Sequence, residues 1–233
     1  MYNTLPYKCI PEGDTRKILI GLPSINRDSG KCSRFYKSLM DSMRHLYSKC
    51  KGVEIKLLVV TRVTDDKIIS FWKDKPDVDV ITVPHYTIEQ GQRHNMNMVS
   101  SKFNLLADYS TLHDALVIIE SDVYIKKNTL YNLIKYLKVA DVAFAYGDIP
   151  WANKPVVVVP GMFHPEVTSK VVPGSTVLGS WTGAVAIRPR VFKTCRFKVD
   201  VYNGIVGQDV GFYKQLFKNR YKVVVADDVY HDY

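Results

Sequence analysis

The sequence predicts an α/β fold with a central, mostly parallel sheet, and three observations support this prediction. Apolar runs of strand length alternate with amphipathic stretches of helical period through the first 140 residues. One run, residues 115–119, holds five apolar residues without polar alternation, as expected for a strand that helices cover on both faces. The rest of the chain has shorter strands, joined by irregular segments rich in Gly, Pro, Ser and Trp. We therefore expect one domain with a parallel half (16–140) and a smaller mixed half (141–233).

The first half is predicted to contain four strand–helix units in the order βαβαβαβα. Its strands are expected at residues 17–22, 55–60, 78–83 and 115–119. The first helix has one apolar face, which consists of Phe35, Leu39, Met43 and Leu46. Gly52 is suited to end that helix. The other three helices are a short one through Trp72, one over residues 90–106 and one that Asn128 begins.

The second half has a different pattern. Strands are expected at residues 142–146, 156–159, 184–187 and 221–226. One more helix precedes the last strand, and its predicted apolar face consists of Val210, Tyr213 and Phe217.

Composition restricts the partners and the location of the protein. The 233 residues carry a formal net charge of +9, which favours an anionic partner such as a nucleotide diphosphate, a phospholipid surface or nucleic acid. The basic residues are scattered and form no nucleic-acid-binding motif, so we expect no nucleic-acid partner. No apolar run approaches the roughly 20 residues that span a bilayer, and residues 1–15 lack the apolar core of a signal peptide. With four cysteines in no metal-binding spacing, a cytoplasmic location is expected.

Two acidic residues follow the most apolar strand. Glu120 and Asp122 stand where that strand ends, and ligands of parallel sheets bind beyond the carboxyl ends of strands. In extended geometry residues two apart project to the same side, so both carboxylates can face one divalent cation. A cation held by few protein oxygens has coordination positions left for a diphosphate. The alternative is that both acids only mark a turn.

Three further segments carry functional residue types. In residues 91–97, Arg93 offers a planar donor fork for phosphate oxygens, or belongs to an ordinary exposed helix start. In residues 178–184, glycines allow a ligand close to the backbone and Trp181 offers a flat face for a sugar ring, or packs in the core. In residues 207–209, Asp209 stands at the start of the last helix, where Asp is a favoured cap.

These segments together resemble the metal-dependent GT-A glycosyltransferases, most closely the broad family-2-like group that uses nucleotide-diphosphate sugars. The resemblance covers nearly the whole chain. The triplet 120–122 stands in the place of the DxD motif of that fold, with Glu120 where the motif has its first Asp. The segment 207–209 resembles the ED motif of inverting members, with Gln208 in place of the first acid. The resemblance implies a Rossmann-like half that binds the nucleotide sugar and a second half that binds the acceptor.

The resemblance also implies a role for individual residues. Metal ligands would be Glu120, Asp122 and His231, with Asp228 or Asp232 as substitutes for the histidine, and the metal Mn²⁺ or Mg²⁺. The donor and its nucleotide would contact Glu120, Asp122, Pro23, Ser24, Arg27, Asp65, Asp66 and Arg93. The acceptor or the sugar would contact Gly179, Trp181, Thr182, Gly183 and Gln208. Asp209 would be the general base.

The implied reaction is transfer of a sugar from a UDP-sugar to a hydroxyl acceptor such as a glycan, with inversion at the anomeric carbon. Two alternatives remain open. A sugar-phosphate nucleotidyltransferase has a similar α/β half, but its Gly-rich loop with a basic residue directly after the first strand differs from residues 21–27. A non-catalytic sugar- or nucleic-acid-binding module would use the basic surface alone. The chain ends just after the expected metal histidine, which suits a domain of a larger protein.

Overall fold

The computed structural model of the chain describes residues 16–24, 29–84, 91–149, 154–155, 157–159, 166–168, 172–180, 183–202 and 205–231. Its helices are α1 (Ser29–Lys49), α2 (Asp66–Lys73), α3 (Gly91–Tyr109), α4 (Thr129–Tyr136) and α5 (Gln208–Lys218). The strands of the first half are β1 (Lys17–Pro23), β2 (Glu54–Arg62), β3 (Val78–Val83), β4 (Ala115–Ile119) and β5 (Val123–Tyr124). Those that follow are β6 (Val142–Ile149), β7 (Lys154–Pro155), β8 (Val157–Val159), β9 (Glu166–Thr168), β10 (Thr176–Val177), β11 (Gly179–Ser180), β12 (Ala184–Ile187), β13 (Asp200–Tyr202), β14 (Ile205–Gly207) and β15 (Val223–His231).

The main sheet has the strand order β10-β15-β6-β12-β4-β1-β2-β3. Four strands of the first half, in the order β4-β1-β2-β3, are parallel to one another, which confirms the predicted parallel core. From the second half, β12 lies antiparallel between β4 and β6, and β15 runs parallel to β6. The predicted α/β class is therefore confirmed, and strands of both halves of the chain share one sheet.

Helices cover both faces of this sheet. On one face α1, α2 and α4 contribute apolar side chains such as Phe35, Trp72 and Leu133. On the other face α3 and α5 contribute side chains such as Phe103 and Phe212. The side chains of β4 alternate between these two cores and all are buried, as its unbroken apolar run predicts. Within the described part of the chain, no helix has both the length and the apolar character needed to cross a membrane.

Helix α3 packs very closely against β1. A Cβ atom at Gly21 would lie 2.6 Å from Leu106 Cδ2, so only a glycine fits beneath this helix without a shift. Gly52, which was expected to end α1, follows it with a φ of +74°, a conformation that glycine adopts readily.

A bulge interrupts the pairing of β15 with β6 between Val225 and Asp227. Beyond it the buried carboxylate of Asp227 accepts a hydrogen bond from Thr129 Oγ1 (2.9 Å) and one from Asn132 Nδ2 (3.3 Å). These bonds join β15 to the first turns of α4. Backbone pairing with β6 and then with β5 continues the last strand to His231, beyond the predicted end at residue 226.

The predicted inner face of α5 is wrong in one residue. Phe217 is 66% exposed, whereas Phe212 and Leu216 are fully buried beside Tyr213. The predicted spacing 210, 213 and 217 fits a helix, but so does 212, 213 and 216. Contacts with Phe197, whose ring stacks 4.2 Å from that of Phe212, decide between the two.

This correction predicts different effects for the same substitution at two positions of α5. Phe212→Ala should lower the free energy of unfolding by roughly 3–5 kcal/mol, because it leaves a cavity in the core. Phe217→Ala should change it by about 0.5 kcal/mol or less, because the ring is largely in water. Urea unfolding followed by circular dichroism measures both values. Equal losses would contradict the observed orientation of the helix.

Candidate active site

A cavity of about 130 Å³ lies at the carboxyl ends of β1 and β4, which are neighbours in the sheet. It is lined by Pro23, Ser24, Val99, Lys102, Phe103, Glu120, Ser121, Asp122 and Gln208. Five of these nine are predicted site residues. They come from three segments that are far apart in sequence: the end of β1, the acidic turn after β4 and the start of α5. The fold therefore brings them to the edge of the sheet where parallel sheets bind ligands.

The acidic turn is held by backbone hydrogen bonds on both sides. The amide of Glu120 donates to the carbonyl of Gly183 (2.9 Å), just before β12. The amide of Val123 donates to the carbonyl of Glu120 (3.1 Å), which closes the turn. Between the two acids, Ser121 Oγ is buried and has no hydrogen-bond partner among the described residues. The turn thus presents two carboxylates and a hydroxyl at the cavity.

The end of β1 meets α3 at the same cavity. Ser24 donates its amide to the carbonyl of Val60 (2.9 Å), and its own carbonyl accepts a hydrogen bond from Lys102 Nζ (2.5 Å). Lys102 is buried, and this desolvation lowers the pKa of its ammonium group to about 8, against the influence of the Asp65 carboxylate. Ser24 Oγ, like Ser121 Oγ, is buried without a partner in the described part of the chain.

Asp65 and Asp66, which were predicted to hold the nucleoside, occupy different environments. The buried carboxylate of Asp65 accepts hydrogen bonds from Thr61 Oγ1 (2.8 Å) and from Arg62 Nη2 (2.8 Å) and Nε (3.2 Å). Burial alone would raise the pKa of Asp65, but these bonds from Arg62 and Thr61 hold it below its usual value. Asp65 thus fixes the turn after β2, whereas Asp66 is exposed in the first turn of α2. A nucleoside contact by either residue stays a prediction.

Asp209 lies at the second residue of α5, next to Gln208, which lines the cavity. Burial raises the pKa of the Asp209 carboxyl to about 6, although hydrogen bonds from the amides of Val210 and of Asp209 itself lower it. The carboxylate folds back over Gly207, where a Cβ would collide with Asp209 Oδ1. Gly207 is the N-cap residue, so Asp209 is not the helix cap that the sequence offered as an alternative.

The register of β15 places the backbone of His231 beside the acidic turn. His231 pairs with Val123, and Val123 directly follows Asp122. The side chain of His231 lies outside what the structure describes. Its role as a metal ligand therefore stays a prediction.

Several other predicted site residues fall partly or wholly outside the described residues. Arg27, Trp181 and Thr182 lie outside them. Arg93 belongs to the first turn of α3 and Gly179 to β11, but only their backbones are described. The described residues contain no group of three or more His, Cys, Asp or Glu side chains arranged to hold a metal.

Lys102 is the main cavity residue that the sequence analysis missed. It stands in sequence among Val99, Phe103 and Leu106, which pack in the core between α3 and the sheet. A lysine inside an apolar stripe was the available signal, because a buried ammonium group is rare unless it has a partner.

No family model and no curated protein matches the chain. Among solved structures, A197 from STIV aligns over 91% of this chain and 83% of its own, at 12% identity and a TM-score of 0.50. GalNAc-T7 in complex with UDP, GalNAc and Mn²⁺ aligns over 95% of this chain at 12% identity, with a TM-score of 0.61. HddC from Yersinia pseudotuberculosis aligns over 90% of this chain and 89% of its own, at 14% identity and a TM-score of 0.48.

The alignment with GalNAc-T7 bears on the fold. The alignment with GalNAc-T7 and the order of the main sheet together confirm the predicted GT-A fold. This chain spans 44% of the GalNAc-T7 chain. At 12% identity the likeness defines the architecture, and the activity has to be argued from the site.

The raised pKa of Asp209 predicts how stability depends on pH. The carboxyl has a pKa of about 6 in the folded state and 3.8 in the unfolded state. As pH rises from about 4 to 6, the unfolded state therefore loses its proton before the folded state does, and the free energy of unfolding falls. Asp209→Asn avoids that loss, so it should gain stability relative to the wild type across this interval. The gain should reach on the order of 3 kcal/mol at most. Urea unfolding at pH 4 to 8 measures it.

Asp200→Asn is the matched control for this prediction. Hydrogen bonds from the amide of Val201 and from Lys214 lower the pKa of Asp200, so its stabilisation is present at neutral pH and lost on acidification. Asp200→Asn should therefore lose stability relative to the wild type at neutral pH, opposite in sign to Asp209→Asn. The same sign for both variants would show that Asp209 is not desolvated.

Proposed function

We propose that this chain is a glycosyltransferase that moves a sugar from a nucleotide-diphosphate sugar, a UDP-sugar, to a hydroxyl acceptor such as a glycan. The cavity that joins the end of β1, the acidic turn and the start of α5 carries this proposal. It is lined by five residues that were predicted to contact the donor, the metal or the acceptor: Pro23, Ser24, Glu120, Asp122 and Gln208. The chain acts as a single domain, whose donor half is residues 16–140 and whose acceptor half is residues 141–233.

The acidic turn suits a divalent cation. Glu120 and Asp122 supply carboxylate oxygens, the ligand type that Mn²⁺ and Mg²⁺ take, and the buried hydroxyl of Ser121 between them has no partner among the described residues. Glu120, Asp122 and His231 would hold the ion. When bound, such an ion neutralises the negative charge of the leaving diphosphate. The solved structure of GalNAc-T7 contains UDP and Mn²⁺ together, which supports this assignment.

Asp209 acts as the general base. Its ionised carboxylate accepts the proton of the acceptor hydroxyl while that oxygen forms a bond to the anomeric carbon. The bond from this carbon to the diphosphate oxygen breaks, and its electron pair leaves with the nucleotide. Attack opposite to the leaving group inverts the anomeric configuration. A pKa of about 6 suits the role, because the group is largely ionised at neutral pH yet more basic than an ordinary aspartate.

One observation favours the nucleotidyltransferase alternative. Such an enzyme needs a basic group directly after the first strand, and Lys102 reaches that position from α3 through its bond to Ser24. The two activities differ in their substrates. Glycosyl transfer consumes a UDP-sugar and releases UDP, whereas nucleotidyl transfer consumes a nucleoside triphosphate and a sugar phosphate and releases pyrophosphate. Assays for both released products, with Mn²⁺ supplied, separate them, and release of neither indicates a binding module.

Asp122→Asn tests the metal assignment. We expect Mn²⁺-dependent binding of UDP to be lost, because the amide is a much weaker ligand than the carboxylate, while the melting temperature stays close to that of the wild type. Isothermal titration calorimetry of UDP with and without Mn²⁺ measures this. Asp79→Asn, which removes an exposed carboxylate from β3, should bind as the wild type does. Unchanged metal-dependent affinity in Asp122→Asn would refute the assignment.

Asp209→Asn tests the base. The turnover number should fall roughly 10²–10⁴-fold, while the affinity for UDP changes little. In the wild type, kcat/KM should fall below a pH of about 6, where Asp209 becomes protonated. Retained anomeric configuration, observed by NMR of the product, would exclude the single displacement. Normal turnover in the folded variant would leave Asp209 a structural residue.

A further inference from the structure

Lys102 has more hydrogen-bonding capacity than the fold uses. Its side chain is 2% exposed and lines the cavity. An ammonium group has three N–H donors, and the carbonyl of Ser24 is the one acceptor that the described residues offer it. Two donors remain, and burying a charged group with unfilled donors is costly. The geometry is that of a group whose remaining partners come from a ligand.

Two hydroxyl groups in the same cavity also have unused hydrogen-bonding capacity. Ser24 is 1% exposed, and its Oγ has no partner among the described residues. The same holds for Ser121 Oγ in the acidic turn. Three such groups in one cavity can donate hydrogen bonds to a ligand with oxygen acceptors.

The strand order indicates which part of a nucleotide would reach Lys102. The acidic turn follows β4, Lys102 binds the residue after β1, and Asp65, whose charge acts on Lys102, follows β2. The order along this edge is β4-β1-β2. If residues 16–140 hold the donor, as proposed above, a nucleotide with its phosphates at the acidic turn extends its nucleoside toward β1 and β2, where Lys102 lies.

We propose that Lys102 determines nucleobase specificity by donating a hydrogen bond to an exocyclic carbonyl oxygen of the base. An ammonium group donates and cannot accept, so it suits O4 of uracil or O6 of guanine. It leaves the amino group of cytosine or adenine at the same position without an acceptor. The inference rests on the proposed function, since it requires a nucleotide in this cavity.

The affinities of matched nucleotide pairs test whether Lys102 recognises the base. UDP and CDP carry the same charge and differ at this exocyclic group and at the adjacent ring nitrogen. GDP and ADP differ in the same two ways and also in the 2-amino group of guanine. Calorimetry with Mn²⁺ should show that the wild type prefers the carbonyl member of one pair by about tenfold or more. In Lys102→Met, an apolar replacement of similar length, the preference should fall to about one. Ser101→Ala, the exposed neighbour on α3, should keep the preference of the wild type.

A second variant keeps the test valid if Lys102→Met does not fold. Lys102→Gln carries both a donor and an acceptor, so it should also bind the two members of a pair about equally. Pyrophosphate, which has no base, should bind Lys102→Gln and the wild type with similar affinity.

Three results would contradict the proposed role of Lys102 in base recognition. A preference that persists in folded Lys102 variants, or no preference in the wild type, overturns the inference. An equal loss of affinity for all four nucleotides and for pyrophosphate assigns Lys102 to the phosphates and also overturns it. If the wild type binds none of the nucleotides, the proposed function fails first, and the inference with it.

Discussion

The close packing of α3 on β1 is the constraint on which the cavity depends. Leu106 lies directly over Gly21, at a separation that no larger residue allows without a shift of the side chain. One helical turn earlier, Lys102 reaches the carbonyl of Ser24, just beyond the end of β1. The absence of a side chain at position 21 thus leaves room for α3 to pack close to β1, where Lys102 and Phe103 line the cavity.

The other wall of the cavity depends on the neighbours of β4. Its parallel register with β1 brings the two carboxyl ends to the same edge. On its other side, β12 runs antiparallel and ends the pairing with the bond between Glu120 and Gly183. The acidic turn is thus fixed between strands from the two halves of the chain, and β15 brings the backbone of His231 to it. Neither half of the chain supplies all the residues that line the cavity.

Burial favours the neutral form of two ionisable groups, one that lines the cavity and one beside Gln208 at its edge. It lowers the pKa of the Lys102 ammonium to about 8 and raises that of the Asp209 carboxyl to about 6. The physical cause is the same, because removal from water disfavours the charged form of either group. In such surroundings charges interact more strongly than in water, so ions of a bound ligand would have large effects on both groups.

The sequence by itself determined the α/β class, the parallel first half and the identity of the acidic turn. These follow from local patterns: the apolar run of β4 can be buried only between two layers, and the acids that end it stand at its carboxyl end. Other features depend on contacts between residues that are distant in sequence. Phe212 rather than Phe217 is the inner residue of α5, because the ring of Phe212 packs on that of Phe197. Long-range pairing extended β15 to His231, and close helix packing turned a lysine in an apolar stripe into part of a cavity. Such choices depend on partners distant in sequence, which periodicity does not encode.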